Sequence, residues 1–318
     1  MKGAELSKEF FNEYGLPMLK EEFPELLPFL AAGFTGSGSE HYGFDDEISR
    51  DHDFEPGFCL FLPGEDIIDR RKAFLLERAY DKLPKEYKGI PRLKMSPVGG
   101  NRHGVHRTAE FYSRTAGTPD GLLSAGEWLR IPDFVLAEAT NGEIFLDNYG
   151  EVGKIRRRLL EMPEDIRLKR LAGCLLSMAQ SGQYNFSRCI AHGEPEAAQL
   201  AATEFANAAM RTVFLLHGQY MPYYKWSFRA LRETLKETAL AEDLSALLSG
   251  DNREAEVQKI KCSLIEKTAG YVAGLLKARG YLSSDTPELE PQAYALNQRI
   301  RDGNIRNSGI CVSGDGSY

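Results

Sequence analysis

The chain reads as an α+β protein in which a small mixed-sheet domain is followed by an all-helical bundle. Three observations predict this. The apolar runs 29–34 and 58–62 have strand length and are bounded by Gly, Ser and Pro. Residues 167–181, 194–216, 225–235 and 254–279 carry apolar side chains at three- and four-residue intervals, the period of an amphipathic helix. No strand pattern interrupts these later segments. The expected boundaries are a sheet-containing domain over 1–150, a helical domain over 151–302, and a mobile Gly-, Ser- and Asn-rich tail over 303–318.

The elements follow in order. Residues 4–14 and 16–22 predict two short helices broken at Gly15-Leu16-Pro17. A first strand is expected over 29–35 and a second over 51–62, irregular at Pro56-Gly57 and stopped by Pro63-Gly64. Residues 65–83 predict a helix, with Glu65 and Asp66 in the first turn, where the helix dipole favours acids. The Gly- and Pro-rich stretch 85–101 reads as a loop, 104–109 as a third strand, and 110–115 and 122–129 as short helices. Residues 134–138 and 144–146 predict a strand pair around the turn dipeptide Asn141-Gly142.

Composition narrows the function. Apolar content of 42% and charged content of 27% are those of an ordinary globular protein. A net charge of −7 argues against sequence-independent nucleic-acid binding, which needs a basic surface to displace counterions. The run Arg156-Arg157-Arg158 is the one local exception, and a solvated helix face is its simpler reading. Cys59, Cys174, Cys189, Cys262 and Cys311 are scattered, without a Cys-x-x-Cys pair, and read as free thiols of a reducing compartment rather than a zinc site. Residues 1–19 alternate charged and apolar side chains, unlike a signal peptide or a membrane span. The expectation is a cytoplasmic protein with no membrane partner.

The chemistry concentrates in residues 38–53. A Gly-Ser turn, Gly38-Ser39, follows the first apolar run, and Asp51-His52-Asp53 precedes the second. On a strand, alternate residues share a face, so Asp51 and Asp53 would project side by side with His52 opposite. Two such carboxylates repel unless a proton or cation lies between them, and Asp45, Asp46 and Glu47 add to the repulsion. A divalent cation is the simplest resolution, and oxygen ligands favour Mg²⁺ or Mn²⁺. Gly38 permits close approach of backbone to a ligand, and successive N–H groups with the Ser39 hydroxyl can hold a phosphate. Arg50 reads equally as a phosphate contact or as a neutraliser of its acidic neighbours.

This pattern of apolar strand, Gly-Ser, spacer and Asp-x-Asp resembles the signature of the nucleotidyltransferase superfamily, which includes DNA polymerase beta and the aminoglycoside nucleotidyltransferases. Gly36-Ser37 is a second candidate for the Gly-Ser pair, with a less fitting spacer. More closely, Gly36 to Glu40 and Gly43 to Asp53, together with Tyr220-Met221-Pro222-Tyr223-Tyr224-Lys225-Trp226, resemble a bacterial family of uncharacterised proteins classed as nucleotidyltransferases. The resemblance implies that Asp51 and Asp53 hold two Mg²⁺ ions and that Gly38 and Ser39 bind a nucleoside triphosphate, ATP first among them, between two domains. An acceptor hydroxyl then attacks the α-phosphorus and pyrophosphate leaves. The acceptor class is open: a small molecule, a protein side chain or an RNA end, with the acidic pI of about 5.6 favouring a cationic small molecule over RNA.

The superfamily carries a third carboxylate on a later strand, and this chain departs from it there. Residues 104–109 contain no Asp or Glu, which leaves Glu110 and Asp147 as candidates, with His106 behind them. In the helical half, Lys225 is expected to meet phosphate and Tyr223 or Tyr224 to stack on a base, while Trp226 packs inside. A second reading, favoured by the missing carboxylate, is a nucleotide-binding regulatory or antitoxin-like interaction protein on the same fold.

Overall fold

The structure, a computed structural model, describes residues 1–48, 54–92 and 102–311. Contacts divide it into two compact units: Met1–Leu123 with Val135–Glu161, and Ser124–Phe134 with the chain from Met162 onward. The first unit is α+β and the second helical, as expected from the sequence. Among the described residues, no helix is long and apolar enough to cross a membrane.

The first unit opens with α1 (Gly3–Phe10) and α2 (Leu16–Glu22). The expected break at Gly15-Leu16-Pro17 is absent, because a π-helical turn, Phe11–Gly15, joins the two helices. Pro17 lacks an N–H and its ring crowds the carbonyl four residues earlier, and the widened turn accommodates both. Two strands follow, β1 (Ala31–Phe34) and β2 (Cys59–Leu62), buried at every position. The second strand is shorter than the expected 51–62. Phe54–Phe58 run outside the sheet, as Pro56 and Gly57 break the ladder, and Asp51-His52-Asp53 lie outside the described residues.

Helix α3 (Arg70–Lys82) starts later than expected. Asp69, not Glu65, caps it by accepting from Lys72 N–H at 2.9 Å. The expected loop contains a two-residue hairpin, β3 (Glu86–Tyr87) with β4 (Ile90–Pro91). Strand β5 (Gly104–Arg107) runs directly into α4 (Thr108–Ala116). After α5 (Ala125–Arg130) comes the clearest departure from the sequence reading: 134–138 is not a strand but part of α6 (Asp133–Thr140). Leu136, Ala137 and Ala139 are strong helix formers, and Asp133 after Pro132 supplies an acidic first turn. Strand β6 (Glu143–Asp147) therefore pairs with β1 rather than with its neighbour in sequence. Helix α7 (Glu151–Leu160) completes the unit.

The sheet has four strands in the order β5-β2-β1-β6. β1 is antiparallel to β2 and β6, while β2 and β5 are parallel. Leu6, Phe10, Leu19, Leu30, Phe58, Leu60 and Leu76 form its core with Tyr80, whose hydroxyl donates to the Phe58 carbonyl at 2.8 Å.

The second unit comprises α5, the start of α6, and α8 (Glu164–Met178), α9 (Ser187–Ala191), α10 (Pro195–Leu216), α11 (Tyr224–Glu233), α12 (Thr238–Leu248), α13 (Ala255–Ala278), α14 (Leu289–Gln298) and α15 (Gly303–Asn307). Residues 303–311, expected to be a mobile tail, are tied down. Asp302 caps α15, and the fully buried Lys169 ammonium donates to Asn297 Oδ1 at 2.9 Å and to the Ser308 carbonyl at 2.8 Å. Gly173 leaves room for the Ile310 carbonyl, which would lie 2.9 Å from a Cβ there.

Candidate functional site: a polar cluster at one edge of the sheet

The strand pairings gather four chain segments at one edge of the sheet. Gly33 faces Cys59, Cys59 faces Gly104, and Phe34 faces Glu143. The end of β1 and the starts of β2, β5 and β6 therefore lie together. From this edge project the turn Thr35–Ser39, Glu55, Arg102 with His103, and Glu138 with Asn141.

The turn after β1 is held open by backbone geometry. Gly36 and Gly38 have φ of +133° and +127°, a region that side chains disfavour. Asn141 clamps the turn: its Oδ1 accepts from Gly36 N–H at 3.0 Å and its Nδ2 donates to the Gly36 carbonyl at 2.7 Å. Thr35 Oγ1 donates to the same Asn141 oxygen at 3.1 Å. A single 3₁₀ turn, Ser39–Tyr42, follows. Among the described residues, nothing accepts from the N–H groups of Ser37, Gly38 and Ser39. Three adjacent donors without partners are suited to an anion.

A carboxylate already stands beside these donors. A Cβ on Gly38 would lie 2.3 Å from Glu40 Oε1, so a side chain there would have to displace that carboxylate. Glu40 is buried, with Arg102 at 3.7 Å and His41 Nδ1 at 3.6 Å from that oxygen. His41 stacks on Phe34 at 4.2 Å between centroids, and His103 covers the same ring at 5.3 Å. Burial holds His41 neutral well below its ordinary pKa, with His103 and Arg102 adding to the shift. His103 Nδ1 lies 2.8 Å from Glu55 Oε1, and its Nε2 is buried without a hydrogen bond. The half-buried Glu138 carboxyl has its pKa raised by desolvation, which the nearby Arg102 partly offsets. The half-buried Tyr42 hydroxyl is pushed up by burial.

The residues singled out by sequence are placed as follows. Gly38 and Ser39 belong to this edge, and Ser39 Oγ approaches Glu40 Oε2 at 3.4 Å. Asp51 and Asp53 lie outside the described residues; in sequence they stand four and two positions before Glu55. Among the described residues, no group of three or more His, Cys, Asp or Glu side chains could hold a metal ion. Asp45 does not join an acidic crowd: it is buried and accepts from Gly3 N–H at 3.0 Å at the start of α1.

Glu110 and Asp147 are placed at the opposite edge. Asp147 faces Ala31 at the start of β1, and Glu110 follows the far end of β5. At about 3.3 Å per residue, a four-residue strand separates them from Gly38 by roughly 10 Å or more. The Asp147 carboxylate accepts from Gly150 and Gly153 N–H at 3.0 and 2.7 Å, which anchors α7. Glu110 lines an open cavity of about 110 Å³ with His106, Arg107, Glu77 and Arg114. Burial lowers the His106 pKa to about 4, helped by Arg114. Arg156, read as part of a solvated face, instead donates to the Asn141 carbonyl at 2.6 Å.

Lys225 stands in the first turn of α11 in the second unit, exposed, its ammonium 5.8 Å from the Trp226 ring centroid. Tyr223 and Tyr224 contact each other at 4.3 Å, and Tyr223 meets Phe134 edge-on at 5.6 Å. Deeper in this unit, Asp133 bridges Arg170 and Arg211; the three residues are 5%, 1% and 5% exposed.

The sequence places Glu40 in the glycine-serine motif without a definite role and does not single out His41, Glu55, Arg102, His103 or Glu138. The adjacent Glu40-His41 after Gly-Ser was the available signal. The others come from distant segments and meet only through strand pairing.

A family model described as a domain of unknown function (DUF4037) matches residues 128–227, a stretch that contains Asp133, Arg170, Arg211 and the Tyr220–Trp226 segment but not the Gly38–Asp53 segment. No curated protein and no solved structure matches the chain.

Proposed function

We propose that this protein is a metal-dependent nucleotidyltransferase that moves a nucleoside monophosphate from a nucleoside triphosphate, ATP first among them, to an acceptor. One observation carries the reading: a glycine turn whose three N–H groups have no acceptor among the described residues leaves β1 at the edge from which β2 begins. The Glu40 carboxylate beside those donors would repel a bare anion, so the place suits a phosphate accompanied by a cation. Asp51 and Asp53 would hold Mg²⁺ or Mn²⁺, an all-oxygen donor set that suits either ion. When bound, the metal neutralises phosphate charge and aligns attacker and leaving group. The turn N–H groups and the Ser39 hydroxyl fix the phosphates. The excess of carboxylates at the edge favours a cationic small molecule as acceptor.

Calorimetric titration of Mn²⁺ with a non-hydrolysable ATP analogue tests the assignment. Asp51→Asn and Asp53→Asn should each abolish metal-dependent nucleotide binding at unchanged melting temperature. Full binding in both variants would sink it. Tight nucleotide binding by the unmodified chain with no pyrophosphate release from any nucleoside triphosphate would favour the regulatory reading instead.

A further inference from the structure

We propose that Glu138 takes the proton from the acceptor hydroxyl. The inference rests on the nucleotidyl-transfer reading above. That reaction needs a base near the phosphate turn, and the two carboxylates the sequence offered, Glu110 and Asp147, stand at the wrong edge of the sheet. Of the carboxylates described at the correct edge, Glu40 faces Arg102 at 3.7 Å, Glu55 meets His103 at 2.8 Å, and Glu143 pairs with Lys8. Glu138 is the one left. Its carboxylate makes no hydrogen bond or ion pair with any described residue.

Its position is fixed by the backbone. Glu138 lies in the last turn of α6, which leads directly into Asn141, the residue that clamps Gly36. Its own carbonyl accepts from Thr35 Oγ1 at 3.5 Å. The charged and titratable groups facing it are Arg102, before β5, and Tyr42, from the 3₁₀ turn. Arg102 steadies the ionised form while burial disfavours it. The result is a carboxylate of more than ordinary basicity with its oxygens uncommitted.

The acceptor O–H gives its proton to Glu138, and the freed oxygen forms a bond to the α-phosphorus. The bond from that phosphorus to the bridging oxygen breaks, and pyrophosphate leaves with the electron pair.

The test measures pyrophosphate release from ATP, GTP, CTP and UTP with Mn²⁺, using the full chain, with water and the chain's own hydroxyls as acceptors. Glu138→Gln should lower kcat by 10²-fold or more while nucleotide affinity and melting temperature hold, and Glu138→Asp should recover part of the rate. The pH profile separates a base from a structural group. The unmodified chain should lose rate on acidification with a midpoint above the ordinary carboxylate range, and Glu138→Gln should lack that limb. A Glu138→Gln rate within threefold of the original, or an unchanged acid limb, would overturn the assignment and leave the nucleotidyltransferase reading standing. No pyrophosphate from the unmodified chain would overturn both.

Discussion

Asp133, Arg170 and Arg211 in the second unit and the sheet-edge cluster in the first are buried to a similar depth, yet they are partnered differently. The Asp133 carboxylate spans two guanidiniums, with Arg211 Nε at 3.0 Å, and Arg170 also donates to the Trp128 carbonyl at 2.7 Å. At the sheet edge, both ring nitrogens of His41, His103 Nε2 and the Tyr42 hydroxyl are buried without a well-formed hydrogen bond to any described residue. An orphaned polar group costs roughly 1–3 kcal/mol, so folding selects against keeping several together. The second unit spends its buried charge on fixing helices α5, α6, α8 and α10. Among the described residues, the first unit leaves several of these polar groups without partners.

The largest effect is expected at the charge-paired cluster of the second unit, whose Arg170 Nε is itself buried without a hydrogen bond to any described residue. Asp133→Ala leaves two buried guanidiniums uncompensated and should destabilise the protein by about 3–5 kcal/mol in urea unfolding. A loss below 1 kcal/mol would mean that the cluster is hydrated and not architectural.

On the unsatisfied side, the buried imidazoles should make the first unit sensitive to acid. The folded-state pKa of His106 is about 4, below the ordinary 6.5, so the unfolded chain binds its proton first as pH falls. Stability is present above pH 6.5 and lost between about 6.5 and 4, by roughly 2–4 kcal/mol at about 1.4 kcal/mol per pH unit. His41 acts in the same direction. Melting temperature against pH should show a shallower acid limb in His106→Gln than in the unmodified chain. Parallel curves would assign the limb to other groups.

A smaller effect sharpens the account of the turn. Gly38→Ala places a Cβ at φ +127° against the Glu40 carboxylate and should cost about 1–2 kcal/mol. Combining it with Glu40→Ala should recover the steric part but not the backbone part. Strict additivity in chemical denaturation would show that the two residues do not meet.

Lys225→Met should have the smallest effect on stability, within about 0.5 kcal/mol, because the ammonium is exposed. Its use is as a probe of binding. If Lys225 meets phosphate, triphosphate affinity should fall by roughly 1.5–3 kcal/mol and nucleoside affinity should hold. Equal changes in both would return Lys225 to the surface.

Local pattern was enough for much of this architecture. The apolar runs that became β1 and β2, the glycine turn after β1, the C-terminal end of α3 at Leu83, and the long amphipathic helices were all readable, because each depends on residues within a turn or two. Residues 134–138 were misread because a short apolar run satisfies strand and helix patterns alike, and the alanines and leucine decide for helix only over the longer span to Thr140. Pro17 was misread as a stop because a π turn is not visible in a propensity.

By itself the sequence determined the fold class, the division into a sheet-bearing and a helical part, and the glycines that keep the turn after β1 free of side chains. The tertiary structure alone decided which acids meet that turn. Register places Glu40, Glu55 and Glu138 at one edge of the sheet and sends Glu110 and Asp147 to the other. The reason is geometric: a strand's direction fixes which of its ends faces a site, and that direction follows from pairings between segments distant in sequence, such as Cys59 with Gly104 and Ala31 with Asp147, which no local pattern encodes.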